Sequence, residues 1–268
     1  MTDVTVIIPT RNRPVLLARA LLSVHAQTGG LTCQCIVVDD GDRSTAARIR
    51  QIAAAAGALY CRTCDTGGAG GAAARNRGLD RAEGTFVAFL DDDDSWKRDK
   101  LFRQVTLLNS TDGVLCYTGI TIIRKNGSRR YSFRKPPFND HHRAIMRRNF
   151  IGTTSSVVIR RSAFAVTGGF DEQLPALQDY DLYIRLLQAG RAIWIDEPLI
   201  DYYVEAAPEN VSAGTDRFFS AASILSDKYR TSPYYHLLRR YMAEVFFLKC
   251  FRSPRFLVSL FRFPGGRS

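Results

Sequence analysis

Along its first hundred residues the chain alternates between two hydrophobic periods. Uninterrupted apolar runs fall at Val4-Thr5-Val6-Ile7-Ile8-Pro9, at Cys35-Ile36-Val37-Val38, at Ala58-Leu59-Tyr60-Cys61 and from Thr85 to Leu90. Between them the spacing lengthens to that of a helix. Leu16, Leu17, Ala20, Leu21 and Val24 share one face of Pro14 to Gln27, where Pro14 suits a first turn. Ser44 can cap a helix through Ala56, and Ala72 to Ala82 reads as a third helix. Strand and helix alternating at this interval predict right-handed crossovers and a parallel sheet. Continuous apolar strands predict a sheet covered on both faces.

After Lys97 the pattern changes. A helix to Leu108 leads to a strand over Val114–Ile123, and Asn126-Gly127 predicts a hairpin turn. Residues 153–161 read as a strand, Ser162 to Val166 as a short helix, Gly168-Gly169-Phe170-Asp171 as a turn and Gln178 to Ala189 as a helix. Two short strands are expected within 191–204, and from about residue 214 the chain reads as helical and basic. The expected architecture is therefore α/β: a central, mostly parallel sheet flanked by helices over 1–213, then a helical extension over 214–268.

Open parallel sheets bind ligands beyond the carboxyl ends of their strands. Thr10-Arg11-Asn12, Asp39-Asp40-Gly41 and Asp91-Asp92-Asp93-Asp94 each fall at such an end. The four adjacent aspartates repel one another, which predicts a cation among them, and carboxylate oxygens suit hard octahedral Mg²⁺ or Mn²⁺. The competing reading is an acid-rich helix start, with Asp94 or Ser95 as its cap. Asp39 or Asp40 can accept from a base or a ribose, or simply make a turn. Gly67-Gly68-Ala69-Gly70-Gly71 precedes a helix carrying Arg75, so its amides can approach an anion, although the run is no P-loop. Asp179 or Asp181, at the start of a helix, can serve as a general base or as a first-turn acid.

Composition refines this picture. The 46% hydrophobic and 24% charged content is that of a globular chain, and no stretch approaches the roughly 18 apolar residues of a membrane span. The start shows no basic segment followed by an apolar core, which predicts a cytoplasmic location. Of the net charge of +11, residues 124–148 carry nine Lys/Arg against one acid, and residues 217–268 carry ten against two. Blocks of this kind predict an anionic partner or a solvated basic face. In the second block the basic residues are interleaved with Phe218, Phe219, Tyr229, Tyr234, Tyr235, Tyr241, Phe246, Phe247, Phe251, Phe256, Phe261 and Phe263. That mixture suits an anionic bilayer at the inner membrane face, or packing against the body of the protein. The six cysteines are expected as reduced, buried thiols rather than as a zinc site.

Together the motifs resemble family 2 glycosyltransferases. Val6-Ile7-Ile8-Pro9-Thr10-Arg11-Asn12-Arg13, Val37-Val38-Asp39-Asp40-Gly41, Ala74-Arg75-Asn76-Arg77-Gly78-Leu79, Phe89 through Trp96, and Gly168-Gly169-Phe170-Asp171 with Asp179-Tyr180-Asp181-Leu182 occur in that family's order over roughly residues 4–205. The resemblance implies the GT-A nucleotide-sugar-binding fold and an inverting transfer from a nucleotide-sugar, foremost a UDP-sugar, to a glycan or glycolipid acceptor. It implies that Pro9, Thr10 and Arg11 embrace the nucleotide, that Asp39 and Asp40 read the base, and that Arg75 lies near the diphosphate. Asp91 and Asp92 would reach ribose or bound water, Asp93 with Asp91 would hold the metal, and Asp179 would be the catalytic base. Two departures stand out. Gln178 replaces the family's usual Glu, and Tyr202 through Pro208 contains no late histidine. The rival readings are a nucleotidyltransferase and a non-enzymatic nucleic-acid-binding protein, and no recognisable nucleic-acid-binding signature supports the latter.

Overall fold

A computed structural model describes residues 2–65, 67–204 and 211–251, without the side chains of 204, 211–215 and 249–251. The first half follows the alternation read from the sequence: β1 (Val4–Thr10), α1 (Pro14–His25), β2 (Cys33–Asp39), α2 (Arg43–Ala55), β3 (Leu59–Arg62), α3 (Gly71–Leu79) and β4 (Phe86–Phe89). These strands pair in parallel in the order β3-β2-β1-β4. Successive side chains along β1 enter opposite cores. Ile7 joins Ile36, Val38, Val87 and Phe89 on one face, while Val4, Val6 and Ile8 join Val37 and Ala88 on the other. A strand buried on both sides can carry apolar residues at every position, which is why these runs lack a polar alternation.

The second half comprises β5 (Asp94–Trp96), α4 (Lys100–Asn109), β6 (Leu115–Arg124), β7 (Arg129–Ser132), α5 (His141–Arg147), β8 (Val158–Arg160), α6 (Ala163–Thr167), α7 (Gln178–Ala189), β9 (Ala192–Val204), α8 (Val211–Lys228) and α9 (Tyr235–Phe251). The sheet continues β4-β8-β6-β9-β5, with β7 hairpinned onto β6, and here it is mixed: β8 runs antiparallel to β4 and β6, while β9 runs parallel to β6.

Two local expectations are corrected. Residues 191–204 form one strand, not two, because a register shift around Gly119 absorbs Pro198 and lets the ladder resume at Ile200. Only Val158–Arg160 of the segment 153–161 forms a strand, since Thr154–Ser156 winds into a 3-10 turn. Its Ser and Thr side chains bond to nearby main chain: Ser156 Oγ donates to the Thr153 carbonyl (2.7 Å) in place of a sheet partner.

The basic C-terminal helices share the body's core. Phe218, Ala221 and Leu225 of α8 are buried in it, as are Tyr229 just beyond that helix and Leu238 and Met242 of α9. Their spacing is helical, so one stripe of α8 faces inward. Arg147 of α5 pairs with Glu244 of α9 at 3.0 Å. Phe219, Phe247 and Leu248 remain exposed. Phe256, Phe261 and Phe263, and the side chain of Phe251, lie outside the described residues. Among the described residues, no helix is long and apolar enough to cross a membrane. Cys116 is buried as expected, whereas Cys33 and Cys64 are exposed, because they lie at strand and loop ends rather than in the sheet interior.

Candidate active site

The polar clusters predicted at strand ends converge on one edge of the sheet, and the fold gives each a different task. Asp39 ends β2, is fully buried, and accepts from Tyr60 Oη (2.9 Å), Arg62 (2.9 Å) and the Gly41 amide (2.8 Å). It braces the loop from below. Asp40 accepts from Thr63 Oγ1 (2.6 Å) and from the amides of Ala69 (2.8 Å) and Gly70 (3.0 Å), pinning the glycine-rich loop. That loop needs its glycines. Gly67 has φ +71°, and a Cβ there would stand 2.3 Å from the Gly41 carbonyl oxygen. At Gly78 a Cβ would meet Ile7 at 2.4 Å, so α3 lies tight on β1 and carries Arg75 over the strand ends.

The four aspartates are separated rather than gathered. Asp91 pairs with Arg75 and accepts from Thr154 Oγ1 at 3.3 Å. Asp92 is buried and accepts from Thr10 Oγ1 (2.7 Å) and Arg13 (3.2 Å), and Arg13 also reaches Asp93 at 3.2 Å. Burial pushes the Asp92 carboxyl up from its ordinary value. Asp94 accepts from Ser155 Oγ at 2.5 Å, and its other oxygen is buried without a hydrogen-bond partner among the described residues. Burial, with Asp91 nearby, raises its carboxyl to about 8, so it is largely protonated at neutral pH. The capping expectation for Asp94 is corrected: it opens β5 opposite Tyr202, and the next helix follows Asp99. Arg75 and Arg13 thus offset part of the repulsion among these carboxylates.

Asp91 and Asp93 keep side-chain exposures of 29% and 44%, so their oxygens can still be reached. Among the described residues, no group of three or more His, Cys, Asp or Glu side chains forms a metal cage. One or two accessible carboxylates fit the way Mg²⁺ is usually held, with water and substrate phosphates completing its shell.

Two hollows meet at these aspartates. One, of about 360 Å³, is lined by Pro9, Thr10, Arg11 and Arg13 from β1 and its loop, by Asp40, Gly70 and Gly71, and by Arg217 from α8. The other, of about 600 Å³, is lined by Asn149, Thr153, Thr154, Gln178, Asp179 and Tyr202. Arg75, Asp91 and Asp93 line both. A third hollow of about 400 Å³, beside His25, Cys33 and Cys35, contains no carboxylate and lies apart from this constellation.

The structure separates the two acids of α7. Asp181 is fully buried, bridged by Arg185 (2.8 Å) and Lys228 (2.9 Å), and accepts from Tyr229 Oη at 2.7 Å. Asp179 faces the larger hollow. Burial raises its carboxyl, opposed by the Tyr180 amide and by Arg75. The residue before this helix start, Leu177, holds φ 62°, a left-handed conformation that costs a branched side chain and aims the first turn at the hollow.

Every proposed site residue except Asp39 lines one or other hollow. Arg13, Thr154, Tyr202 and Arg217 join them without having been singled out for a role. Arg13 stood inside a recognised motif, but Thr154 and Arg217 carry no local signal, since only long-range packing brings them to the aspartates.

The model of glycosyl transferase family 2 matches residues 5–168, and that of a glycosyltransferase-like family 2 matches residues 134–240. Similar curated proteins include the amylovoran biosynthesis glycosyltransferase AmsB of Erwinia amylovora, 34% identical over 50% of this chain and 47% of its own length. The putative teichuronic acid biosynthesis glycosyltransferase TuaG of Bacillus subtilis is 30% identical over 50% of this chain and 52% of its own. This chain thus spans about half the length of these relatives. Among solved structures, S. aureus TarS residues 1–349 with UDP-GlcNAc superposes with a TM-score of 0.71 at 17% identity, covering 98% of this chain and 77% of that one. The mannosyltransferase PcManGT of Pyrobaculum calidifontis, in complex with GDP-Man and Mn²⁺, gives 0.63 at 20% identity, covering 96% and 74%. The fold is the GT-A fold that the motifs implied, and none of these neighbours favours the nucleotidyltransferase or nucleic-acid-binding readings. With a family model laid over most of the strand-end motifs and the same motifs assembled around two joined hollows, the chain belongs to glycosyltransferase family 2.

Proposed function

We propose that this protein is an inverting glycosyltransferase that moves a sugar from a nucleoside-diphosphate sugar, foremost a UDP-sugar, to a hydroxyl of a lipid-linked or surface-polysaccharide glycan. One observation carries the reading: Arg75, Asp91 and Asp93 form a common wall between the two hollows. A donor lying in the smaller hollow places its diphosphate at that wall and its anomeric carbon toward Asp179.

The residues divide the work as follows. Thr10, Arg11 and Asp40 hold the nucleotide, with Asp39 bracing Asp40 from beneath. Asp91 and Asp92 address the ribose or its bound water. Arg75, Arg13 and Arg217 offset the charge of the diphosphate. Asp91 and Asp93 are the carboxylates suited to Mg²⁺ or Mn²⁺, which when bound would neutralise the departing diphosphate. Asp179 accepts the acceptor's proton, and its raised carboxyl makes it a better base than an ordinary aspartate. The acceptor oxygen attacks opposite the leaving group, so the anomeric configuration inverts. AmsB and TuaG are named for polysaccharide synthesis, which supports a glycan acceptor. The exposed α9 face and the basic tail support peripheral contact with an anionic membrane surface on the cytoplasmic side.

The test is a screen of nucleotide-sugars for metal-dependent turnover, with Asp179→Asn as the control. Release of nucleoside diphosphate, lost in the variant while donor binding persists, is the expected result. Pyrophosphate release would instead indicate nucleotidyl transfer. Normal turnover by Asp179→Asn would remove Asp179 from the mechanism.

A further inference from the structure

The two helices that line the larger hollow, α7 through Gln178 and Asp179 and α3 through Arg75, carry two buried polar atoms with no hydrogen-bond partner among the described residues, Tyr183 Oη and Arg75 Nε. Leaving a phenol unpaired in the interior is costly, so its position calls for an explanation, and a role in the reaction is one that geometry can test. Tyr183 is fully buried and stands one helical turn beyond Asp179 on α7. Long side chains in a helix lean back toward its N-terminus, so residue i+4 lies against residue i. That spacing puts Tyr183 and Asp179 on the same face of α7.

The electrostatics agree with that placement. Tyr183 senses Asp179, Arg75 and Asp91, and burial holds its hydroxyl well above the ordinary value. It keeps its proton and so can donate to a carboxylate. Asp179 has main-chain amides as its hydrogen-bond donors, chiefly that of Tyr180. The charged or titratable groups that face it are Arg75 from α3, Asp91 from the β4–β5 loop, Tyr183 on its own helix, Tyr202 from β9 and Tyr241 from α9.

We propose that Tyr183 is a positioning residue for Asp179: with both hollows filled, its hydroxyl donates to one carboxylate oxygen and holds the other toward the attacking hydroxyl. The acceptor's proton passes to Asp179, and Tyr183 keeps its own. The proposal rests on Asp179 being the base.

The experiment compares Tyr183→Phe, Asp179→Asn and the double variant in the full chain, using the nucleotide-sugar selected by the donor screen. For Tyr183→Phe, kcat should fall about tenfold with an unchanged donor KM. The acidic limb of its pH–rate profile should move up, because the carboxylate loses a donor to its charged form. Its thermal midpoint should hold or rise, since an unpaired hydroxyl has been removed. The double variant should be no slower than Asp179→Asn. A Tyr183→Phe enzyme with wild-type kcat and profile overturns the proposal. So does one that is slower only because it is less stable, with its profile unmoved. Full activity in Asp179→Asn overturns the base assignment, and with it this inference. The first two outcomes leave the assignment of Asp179 intact.

Discussion

Lys100 offers a quantitative test of the packing. It opens α4, is fully buried, and donates to Gln104 Oε1 at 2.7 Å with its ammonium 4.2 Å from the centre of the Trp96 ring. Among the described residues it has no carboxylate partner, and burial lowers its pKa to about 7 from 10.5. Between those values the unfolded chain holds a proton that the folded chain has released, so stability rises with pH across the window. Each unit is worth about 1.4 kcal/mol, which makes the effect from pH 7 to 8.5 about 2 kcal/mol and its full extent, as an upper bound, about 5 kcal/mol. Other groups titrate too. Asp94, raised to about 8, is protonated when folded and ionised when unfolded, so it pulls stability down as pH rises from about 4 to 8. Cys116, raised to about 12, does the same only above its unfolded value near 9. Comparing wild type with Lys100→Met at each pH cancels both. The difference in unfolding free energy should narrow by about 2 kcal/mol from pH 7 to 8.5, or about 4–8 °C in midpoint at roughly 2–4 °C per kcal/mol. Met should be the more stable at pH 7, because a buried unpaired ammonium is replaced by an apolar chain of similar length, offset in part by the lost bond to Gln104. Denaturant melts of both proteins across this range check it. Parallel pH curves would mean that Lys100 stays charged when folded and that the burial argument is wrong.

Other outcomes follow from the site. Arg217→Ala removes a cation from the smaller hollow and should raise donor KM about tenfold with little change in kcat, the reverse of the pattern expected at Tyr183. Asp93→Asn should abolish the extra thermal stabilisation given by Mn²⁺ with UDP over UDP alone, read by melting with and without the ion. Removing residues 252–268, which carry Arg252, Arg255, Arg262 and Arg267 among Phe256, Phe261 and Phe263, should reduce flotation with phosphatidylglycerol vesicles. A cut after residue 213 should instead unfold the protein, because Phe218, Ala221 and Leu225 belong to its core.

What could be read in advance was what local periodicity encodes. β1 and β4 are buried on both faces and β2 over most of its length, so their positions and the loops at their ends follow from apolar runs alone, whereas β3 is a half-exposed edge strand. Individual acids were less legible. Asp179 and Asp181 sit in the same first turn, and only the Arg185 partner, four residues on, could have been guessed for Asp181. Its other partners, Lys228 and Tyr229, arrive from the end of α8 and the residue after it and are invisible locally. Asp94 reads as a cap by composition, but Ser155, 61 residues away, holds it in a strand. β9 crosses Pro198 because of a bulge at Gly119 on its neighbour, information its own sequence does not contain.

The division of charge around the aspartates bears on how the site fills. Arg75 already occupies Asp91, and Arg13 is shared by Asp92 and Asp93. A dication arriving alone must compete with these guanidinium groups for the same oxygens in a site whose charges are partly balanced. A donor diphosphate changes that balance. Its negative charge can take over Arg75, Arg13 and Arg217, freeing Asp91 and Asp93 as ligands and supplying hard oxygens of its own. Metal and donor should therefore each strengthen the other's binding, by equal factors as linkage requires. On this reasoning the absence of a late histidine between Tyr202 and Pro208 would cost the site little, because a bound donor would supply ligand oxygens to a metal and the chain's arginines pair with the carboxylates until it arrives.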